Sequence, residues 1–316
     1  MKKHIKNLVL LTAIVSVLIL ITNKLISIFS NLKDDLPIGG GKYYKWKYGD
    51  IYYAKTGKGK PILLIHDLDA SSSSYEWIKV IRKLSVNNTV YAIDLLGCGR
   101  SDKPNLTYTN YLYVQLVNDF IKNIIEEKTD VIATGDSLSF AIMGCQIESG
   151  YYNKLIGITP ADLYELAKSP GKRNNLLKFV MELPVIGTFI YNIAESKNNI
   201  IDVLVNDYYY KGHLVSPQLI DAYYQAAHNG DGNGRYLLAS IKSHYTNINI
   251  VSALKKIDNS ICLIGGKEHP FISDVIEDYK KFNPAVEDAY ISNTSCLPQL
   301  EAPERFVNLI NIILNS

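Results

Sequence analysis

The spacing of apolar residues changes along the chain, and each spacing predicts a different kind of element. Residues 7–23 form an uncharged, mostly apolar run, and beyond residue 42 apolar and polar residues alternate around Gly49 and Asp50, which predicts a hairpin. Short apolar runs follow at residues 62–66, 90–94, 131–135, 155–159, 261–265 and 288–292, which we interpret as strands. Segments between them have helical spacing, as in residues 116–125. This alternation predicts an α/β protein with a mainly parallel sheet and helices on both faces.

One long segment interrupts the alternation. Residues 161–252 lack strand-like runs and are expected to form an inserted helical cap. The predicted organisation is therefore an N-terminal membrane anchor at 1–30, a polar, Gly-rich linker at 31–42, and a core divided by the cap into residues 43–160 and 253–316.

The N-terminal run has the pattern of a transmembrane segment. Lys2, Lys3 and Lys6 precede the uncharged residues 7–23, and Lys24 follows them. At about 1.5 Å per residue the run spans about 25 Å, and snorkelling lysines can extend it towards the roughly 30 Å of a hydrocarbon core. Because no small-residue cleavage site stands out, we favour a signal anchor over a cleaved signal peptide. The basic flank predicts a cytoplasmic N-terminus and an extracytoplasmic body.

Composition excludes several other classes of function. The chain has 33 basic and 31 acidic residues, and four of the lysines lie within the first thirty positions, so the body is close to neutral and no nucleic-acid partner is expected. The four cysteines are too few and too scattered for a disulfide scaffold and are expected to be free thiols. Neither metal-ligand spacing nor a nucleotide-binding fingerprint occurs, so no metal and no cofactor is predicted.

Four motifs occur in a characteristic order. Ser137 in "GDSLS" follows a predicted strand and precedes an apolar helix, which is the setting of a nucleophile elbow. The other three are "PILLIHDLDASSSSYEW" (61–77), "YAIDLLGCGRSDKP" (91–104) and "CLPQLEAPERF" (296–306). Together they resemble the α/β-hydrolase superfamily, most of all its lid-bearing branch of haloalkane dehalogenases, epoxide hydrolases and related esterases. The resemblance covers residues 43–314, and the cap matches least.

The resemblance implies a catalytic triad, and this chain departs from it at two of three positions. Ser137 would be the nucleophile. The acid that normally follows a late strand is replaced by His269, with Glu268 beside it, and the closing histidine is replaced by Cys296.

The oxyanion loop also departs from the pattern. The resemblance implies His-Gly where the chain has His66 and Asp67, and it places the oxyanion hole at the backbone N–H groups of Leu68 and Leu138. His66 is expected to hold this loop in place. A carboxylate at Asp67 would repel the negative charge that develops in such a hole.

These departures predict a degenerate site. A serine hydroxyl needs a base within hydrogen-bonding reach, and a thiol is a poor base. Loss of the triad base typically costs on the order of 10⁶ in turnover. The chain is therefore expected to be a pseudoenzyme that binds a ligand or an unidentified protein partner. Because caps of this kind enclose apolar pockets, a small or acyl-type ligand is favoured.

Two active alternatives remain open. The first is a hydrolase of ester-like bonds that uses Ser137, with His269 or another residue as the base and Asp162 or Glu165 as a substitute acid. The second is a thiol enzyme built on Cys296 and His269, since an imidazole can lower the pKa of a thiol.

Overall fold

The computed structural model describes residues 2–32, 35, 36 and 41–316. Eight strands form one sheet: β1 (Gly41–Trp46), β2 (Gly49–Thr56), β3 (Lys60–Ile65), β4 (Asn88–Ile93), β5 (Thr129–Thr134), β6 (Tyr152–Ile158), β7 (Ile261–Gly266) and β8 (Glu287–Ile291). Their order across the sheet is β1-β2-β4-β3-β5-β6-β7-β8. β2 is antiparallel to β1 and β4, and the remaining neighbours are parallel. The predicted hairpin is present, but its turn lies at Lys47 and Tyr48 and not at Gly49 and Asp50, which belong to β2.

The helices follow in chain order. Those of the N-terminus and the first part of the core are α1 (Lys2–Ser30), α2 (Ile81–Leu84), α3 (Asn110–Phe120) and α4 (Ser137–Ile147). Between β6 and β7 lie α5 (Leu163–Leu166), α6 (Lys172–Glu182), α7 (Ile186–Ala194), α8 (Lys197–Asp202), α9 (Pro217–His228), α10 (Gly234–Lys242) and α11 (Val251–Leu254). The C-terminal part contains α12 (Ile272–Phe282), α13 (Pro298–Glu301) and α14 (Pro303–Asn315).

The sheet is buried on both faces. In β3, Ile62 and Leu64 pack with Phe306 of α14 on one face, whereas Leu63 and Ile65 join the core on the side of α3, α4 and α12. Strands buried on both faces need apolar residues at successive positions, which explains the continuous apolar runs of the sequence. The expectation of a mainly parallel sheet with helices on both faces is confirmed.

The cap consists of helices. The described chain between β6 and β7 contains no strand, as the spacing of its apolar residues predicts. The exact division at residues 161 and 252 stays a prediction. Half of the predicted linker, namely residues 33, 34 and 37–40, lies outside the described residues.

α1 is an exposed apolar helix whose last turns contact the cap. Residues 4–30 are long and apolar enough to cross a membrane. The Asn23 side chain donates to the Val185 carbonyl oxygen at 3.2 Å and accepts a hydrogen bond from Asn192 Nδ2 at 2.9 Å. Lys24 forms an ion pair with Asp231 at 3.3 Å. The C-terminal end of α1 is therefore held against α7 and the loop after α9.

Candidate functional site

The loops at the carboxyl ends of the parallel strands surround one cavity. Since these ends meet at one edge of the sheet, the loops after β3, β5, β6, β7 and β8 come together there. The cavity measures about 500 Å³. Its wall includes Asp67, Gly135, Asp136, His269 and Cys296. The structure thus brings three of the substituted positions to one place.

The turn from β5 into α4 has its apex at Gly135. Gly135 has φ of +54°, in the left-handed region that favours glycine, and Asp136 after it is already in the helical region. Ser137 is the first residue of α4, and it is fully buried. Its hydroxyl donates to the His66 carbonyl oxygen at 2.6 Å. The apex of the turn therefore lies two residues before Ser137, where we predicted the elbow, and the residue at the apex has no side chain.

The Asp67 carboxyl group lies at the position that the resemblance assigns to the oxyanion hole, between the loop after β3 and the turn after β5. Its Oδ1 accepts hydrogen bonds from the N–H groups of Leu68, at 2.8 Å, and Asp136, at 2.9 Å. A Cβ atom on Gly135 would overlap this carboxylate. Asp67 therefore fills the space that a side chain at the apex would need, and glycine is required there.

The second N–H group of the hole differs from the expected one. We expected Leu138, but its N–H donates to the Gly135 carbonyl oxygen at 3.3 Å, within the turn. The donor next to the apex is Asp136. This correction follows from the position of the apex, because the hole uses the residue directly after it.

Several acidic groups meet beneath the cavity. Burial raises the pKa of Asp67 well above its usual range, and the nearby carboxyl groups of Asp136 and Glu76 raise it further. Burial also raises the pKa of Asp136 to about 6 and that of Glu76 to about 7. Burial thus shifts the pKa of all three carboxyl groups upward, although the two N–H bonds to Asp67 oppose the shift for its own carboxyl.

Glu76 is a structural residue of the site that sequence reasoning missed. It accepts hydrogen bonds from the Asp67 N–H at 3.2 Å, the Thr134 hydroxyl at 2.5 Å and Gln299 Nε2 at 2.8 Å. These partners belong to three separate segments, so Glu76 fastens the Asp67 loop to the end of β5 and to α13. A charged residue within the apolar stretch "YEW" was the available signal.

His66 holds the same loop from the other side. Its Nε2 accepts a hydrogen bond from the Leu95 N–H at 3.0 Å, which leaves the proton on Nδ1, 2.6 Å from the Asp67 carbonyl oxygen. Burial lowers the pKa of His66 and favours this neutral form. The arrangement agrees with the expectation that His66 positions the loop.

His269 and Cys296 are neighbours in the cavity wall. His269 Nδ1 lies 3.4 Å from the Cys296 sulfur, which also lies 3.4 Å from the Asp207 carbonyl oxygen. Burial raises the pKa of the Cys296 thiol to about 12 and lowers that of His269. The pair is therefore a neutral thiol beside a neutral imidazole, and a neutral thiol is a poor nucleophile.

The remaining acidic candidates are placed less favourably. Glu268 is exposed, and its carboxylate accepts a hydrogen bond from the Asn293 N–H at 3.4 Å. Asp162 lines the cavity, where its Oδ1 caps α5 by accepting the N–H groups of Tyr164 and Glu165. Neither residue supplies the missing base.

A second cavity of about 550 Å³ lies between the core and the cap. Tyr208 lines both cavities, so the two are adjacent. Leu204, Tyr223 and Leu238 form an apolar part of its wall, and the rest includes polar side chains such as Asp69 and Asn199. Glu195 adds a buried carboxyl whose pKa burial raises to about 8. Within the described residues we find no group of three or more histidine, cysteine or acidic side chains that could hold a metal.

Sequence comparisons find short local similarities to hydrolases. No family model matches the chain. It is 39% identical over 71 residues to 2-hydroxy-6-oxo-6-(2'-aminophenyl)hexa-2,4-dienoic acid hydrolase of Metapseudomonas resinovorans, which is 22% of this chain and 24% of that protein. It is 37% identical over 59 residues to a haloalkane dehalogenase of Agrobacterium fabrum, 19% of each chain. The chain thus aligns with about a quarter or less of these curated relatives.

Solved structures match over most of the chain. A serine hydrolase involved in carbazole degradation has a TM-score of 0.71 at 18% identity and covers 87% of this chain and 98% of its own. The epoxide hydrolase CorEH also has a TM-score of 0.71, at 19% identity, with 85% and 96% covered. A membrane phospholipase A has a TM-score of 0.69 at 18% identity and covers 100% of this chain and 98% of its own, so that its match includes α1. These three proteins share the fold of this chain.

Proposed function

We propose that the chain is a membrane-anchored member of the α/β-hydrolase superfamily with a degenerate catalytic site, which binds a small or acyl-type ligand without hydrolysing it. Hydrolysis by a serine in this fold needs a nucleophile at the elbow, a base to accept its proton and an empty oxyanion hole. The proposal is that this chain lacks all three.

The occupied hole is the observation that carries the proposal. Asp67 Oδ1 already accepts the N–H groups of Leu68 and Asp136, at 2.8 and 2.9 Å. A substrate oxygen would have to displace a carboxyl group of the protein from both donors. If Asp67 were ionised, it would also oppose the charge of a tetrahedral intermediate.

The nucleophile and the base support the same conclusion. Gly135 offers no atom at the apex, and the Ser137 hydroxyl is buried against the His66 carbonyl oxygen. Cys296, with a pKa of about 12, cannot take up a proton as an imidazole does. His269 is next to Cys296 and occupies the position of the family acid, behind the base.

The cavities support ligand binding. Two adjacent spaces of about 500 and 550 Å³ fall within the range of small-molecule pockets. The aliphatic and aromatic wall formed by Leu204, Tyr223 and Leu238 suits the hydrocarbon part of an acyl-type ligand. We propose no metal and no cofactor for the site, and the identity of a protein partner stays open.

The anchor is the second part of the proposal. α1 is exposed along its apolar length, and its end is held by the hydrogen bonds between Asn23 and the cap. These contacts favour a helix that is retained, because cleavage of a signal peptide would remove them. The topology that we propose has a cytoplasmic N-terminus and an extracytoplasmic body.

Hydrolysis of p-nitrophenyl butyrate by the full-length chain in detergent tests the proposal. We expect the rate to stay near the uncatalysed level and to be the same in the Ser137→Ala variant, because the hydroxyl of Ser137 has no base. Turnover that disappears on Ser137→Ala would contradict the degenerate site and favour the first active alternative.

An active hydrolase with Asp67 as the nucleophile is the second candidate. Asp67 Oδ1 is held by two N–H groups while the carboxyl group borders the cavity. Oδ2 would attack the electrophilic carbon of a substrate, and the leaving group would depart with the bonding electron pair. The aspartyl intermediate would be an ester if that carbon is an alkyl carbon, and a mixed anhydride if it is the acyl carbon of an ester. Water would then hydrolyse the intermediate, release the product and restore the carboxylate. The raised pKa of Asp67 opposes this reaction, since a protonated carboxyl is a weak nucleophile. In the same assay, loss of turnover on Asp67→Asn would favour it.

The thiol enzyme is weaker still. The 3.4 Å contact between Cys296 and His269 is its only support, and the raised pKa of the thiol is opposite to what a thiolate enzyme needs. Turnover that is abolished by Cys296→Ala would be required to favour it.

A further inference from the structure

The cap carries an exposed apolar surface on α6 and α7. Five side chains form this surface, which we call the apolar cap face: Leu176, Leu177, Phe179, Ile186 and Ile193. Leu176 and Phe179 are 65% and 61% exposed, and Ile186 and Ile193 are 52% and 53% exposed. Contiguous apolar surface of this kind is rare on soluble monomers and marks a site of interaction.

The face arises from the spacing of residues in α7. Ile186 and Ile193 are seven residues apart and lie on one side of the helix, with the half-buried Phe189 and Ile190 between them. Tyr191 on the opposite side is fully buried in the cap. α7 is thus apolar on two sides, although only one of them packs against the rest of the cap.

The apolar cap face lies beside the place where α1 meets the body. Asn23 of α1 donates to the carbonyl oxygen of Val185, which directly precedes Ile186. Asn192, next to Ile193, donates to Asn23. Both ends of α7 are therefore fixed close to α1 by hydrogen bonds.

The length of α1 fixes the depth of this region. Residues 7–23 form the uncharged, mostly apolar part of the helix, and at about 1.5 Å per residue they span about 25 Å, close to the thickness of a hydrocarbon core. The boundary of the bilayer then falls at Asn23 and Lys24, which is the level at which α1 contacts Val185. Ile186 consequently lies within about one helical turn of this boundary.

Charge agrees with a lipid surface as the partner. The exposed Lys172 and Arg173 begin α6, one turn before Leu176. Basic residues beside exposed apolar side chains are typical of helices that lie in the interface of a membrane, where they contact anionic headgroups.

We propose that the apolar cap face inserts into the surface of the same bilayer that holds α1, so that the cap contacts lipid directly. This inference rests on the membrane anchor of the proposed function. It makes α1 a clamp that sets the orientation of the cap, and it places the cavity beneath the cap close to the source of hydrophobic ligands.

Quenching of tryptophan fluorescence by brominated lipids tests the docking. The full-length Phe179→Trp variant is reconstituted in nanodiscs of phosphatidylcholine and phosphatidylglycerol, with bromine on the acyl chains near the headgroups. We expect loss of most of the added emission and a blue shift relative to detergent. The native Trp46 and Trp77 are buried in the core and provide a constant background. Ile312→Trp is the matched control and should keep its emission, because Ile312 is 68% exposed and lies in α14 near Lys154, at the end of β6 that is opposite the cap.

A third variant separates the docking from the anchor. Val15→Trp, in the middle of α1, is measured with bromine near the ends of the acyl chains, and it should be quenched if α1 spans the bilayer. Quenching of Val15→Trp without quenching of Phe179→Trp would overturn the docking and leave the anchor intact. If neither variant is quenched, the anchor is overturned as well. Equal quenching of Ile312→Trp and Phe179→Trp would overturn the docking, because it would show that the effect is not specific to the cap.

Discussion

A chain that carries Gly135→Ser, Asp67→Gly, Cys296→His and His269→Asp is expected to hydrolyse p-nitrophenyl butyrate at least about 10²-fold faster than the parent chain, the lower end of the effect of a positioned general base. The first substitution supplies a hydroxyl at the apex of the turn. The second empties the oxyanion hole and removes the carboxylate that would overlap the new side chain. The last two restore a base at position 296 and an acid behind it.

The control for this gain of function keeps glycine at position 135. The variant with only Asp67→Gly, Cys296→His and His269→Asp retains Ser137, whose hydroxyl bonds to the His66 carbonyl oxygen. We expect it to stay as inactive as the parent. If the variants with three and with four substitutions are equally active and faster than the parent, Ser137 is the nucleophile and the apex lies two residues later than we assign it.

The Gly135→Ala substitution is expected to destabilise the folded chain by about 2–4 kcal/mol, as the sum of two effects. Alanine at a φ of +54° costs about 1–2 kcal/mol through its backbone alone. The remainder comes from overlap of its Cβ with the Asp67 carboxylate. In an Asp67→Gly background we expect only the backbone cost.

Equilibrium unfolding by urea in detergent measures this difference as a double-mutant cycle. Gly150→Ala is the control, because Gly150 has open space around it and should change stability little. If Gly135→Ala costs the same in both backgrounds, the Asp67 carboxylate does not fill the space at the apex.

The sequence was sufficient to predict the sheet and the helical cap. Runs of buried apolar residues are required on both faces of a parallel strand, so the segments at 62–66 and 131–135 were visible without further information. The cap was recognised by the absence of such runs. The hydrogen bonds between Asn23 of α1 and α7 could not be predicted, because they join residues more than 160 positions apart.

The site was predicted in part. The resemblance placed His269 and Cys296 together, and the structure has them 3.4 Å apart. It placed the apex at Ser137, because serine has a nucleophilic side chain and glycine has none. The spacing of small residues fits equally well around Gly135, with Ala133 before it and Ser137 after it. Only the positive φ of Gly135 decides between the two registers.

The hydrogen bonds of Asp67 could not be predicted from the sequence, because they depend on segments that meet only in the fold. Its carboxyl could be expected near the oxyanion hole, where it would repel charge. Whether it would point into the hole depends on the turn after β5, whose Asp136 N–H completes the pair of donors. The fastening of the loop by Glu76 likewise depends on three segments that meet only in the fold.

Reaction with a fluorophosphonate probe, followed by intact-mass spectrometry, tests most directly whether this cavity contains an activated serine. The probe forms a covalent bond only with a hydroxyl that a neighbouring base activates. We predict that the mass of the full-length chain is unchanged after incubation at neutral pH, as it is for the Ser137→Ala variant. A stoichiometric adduct on the parent chain that is absent from Ser137→Ala would contradict the degenerate site.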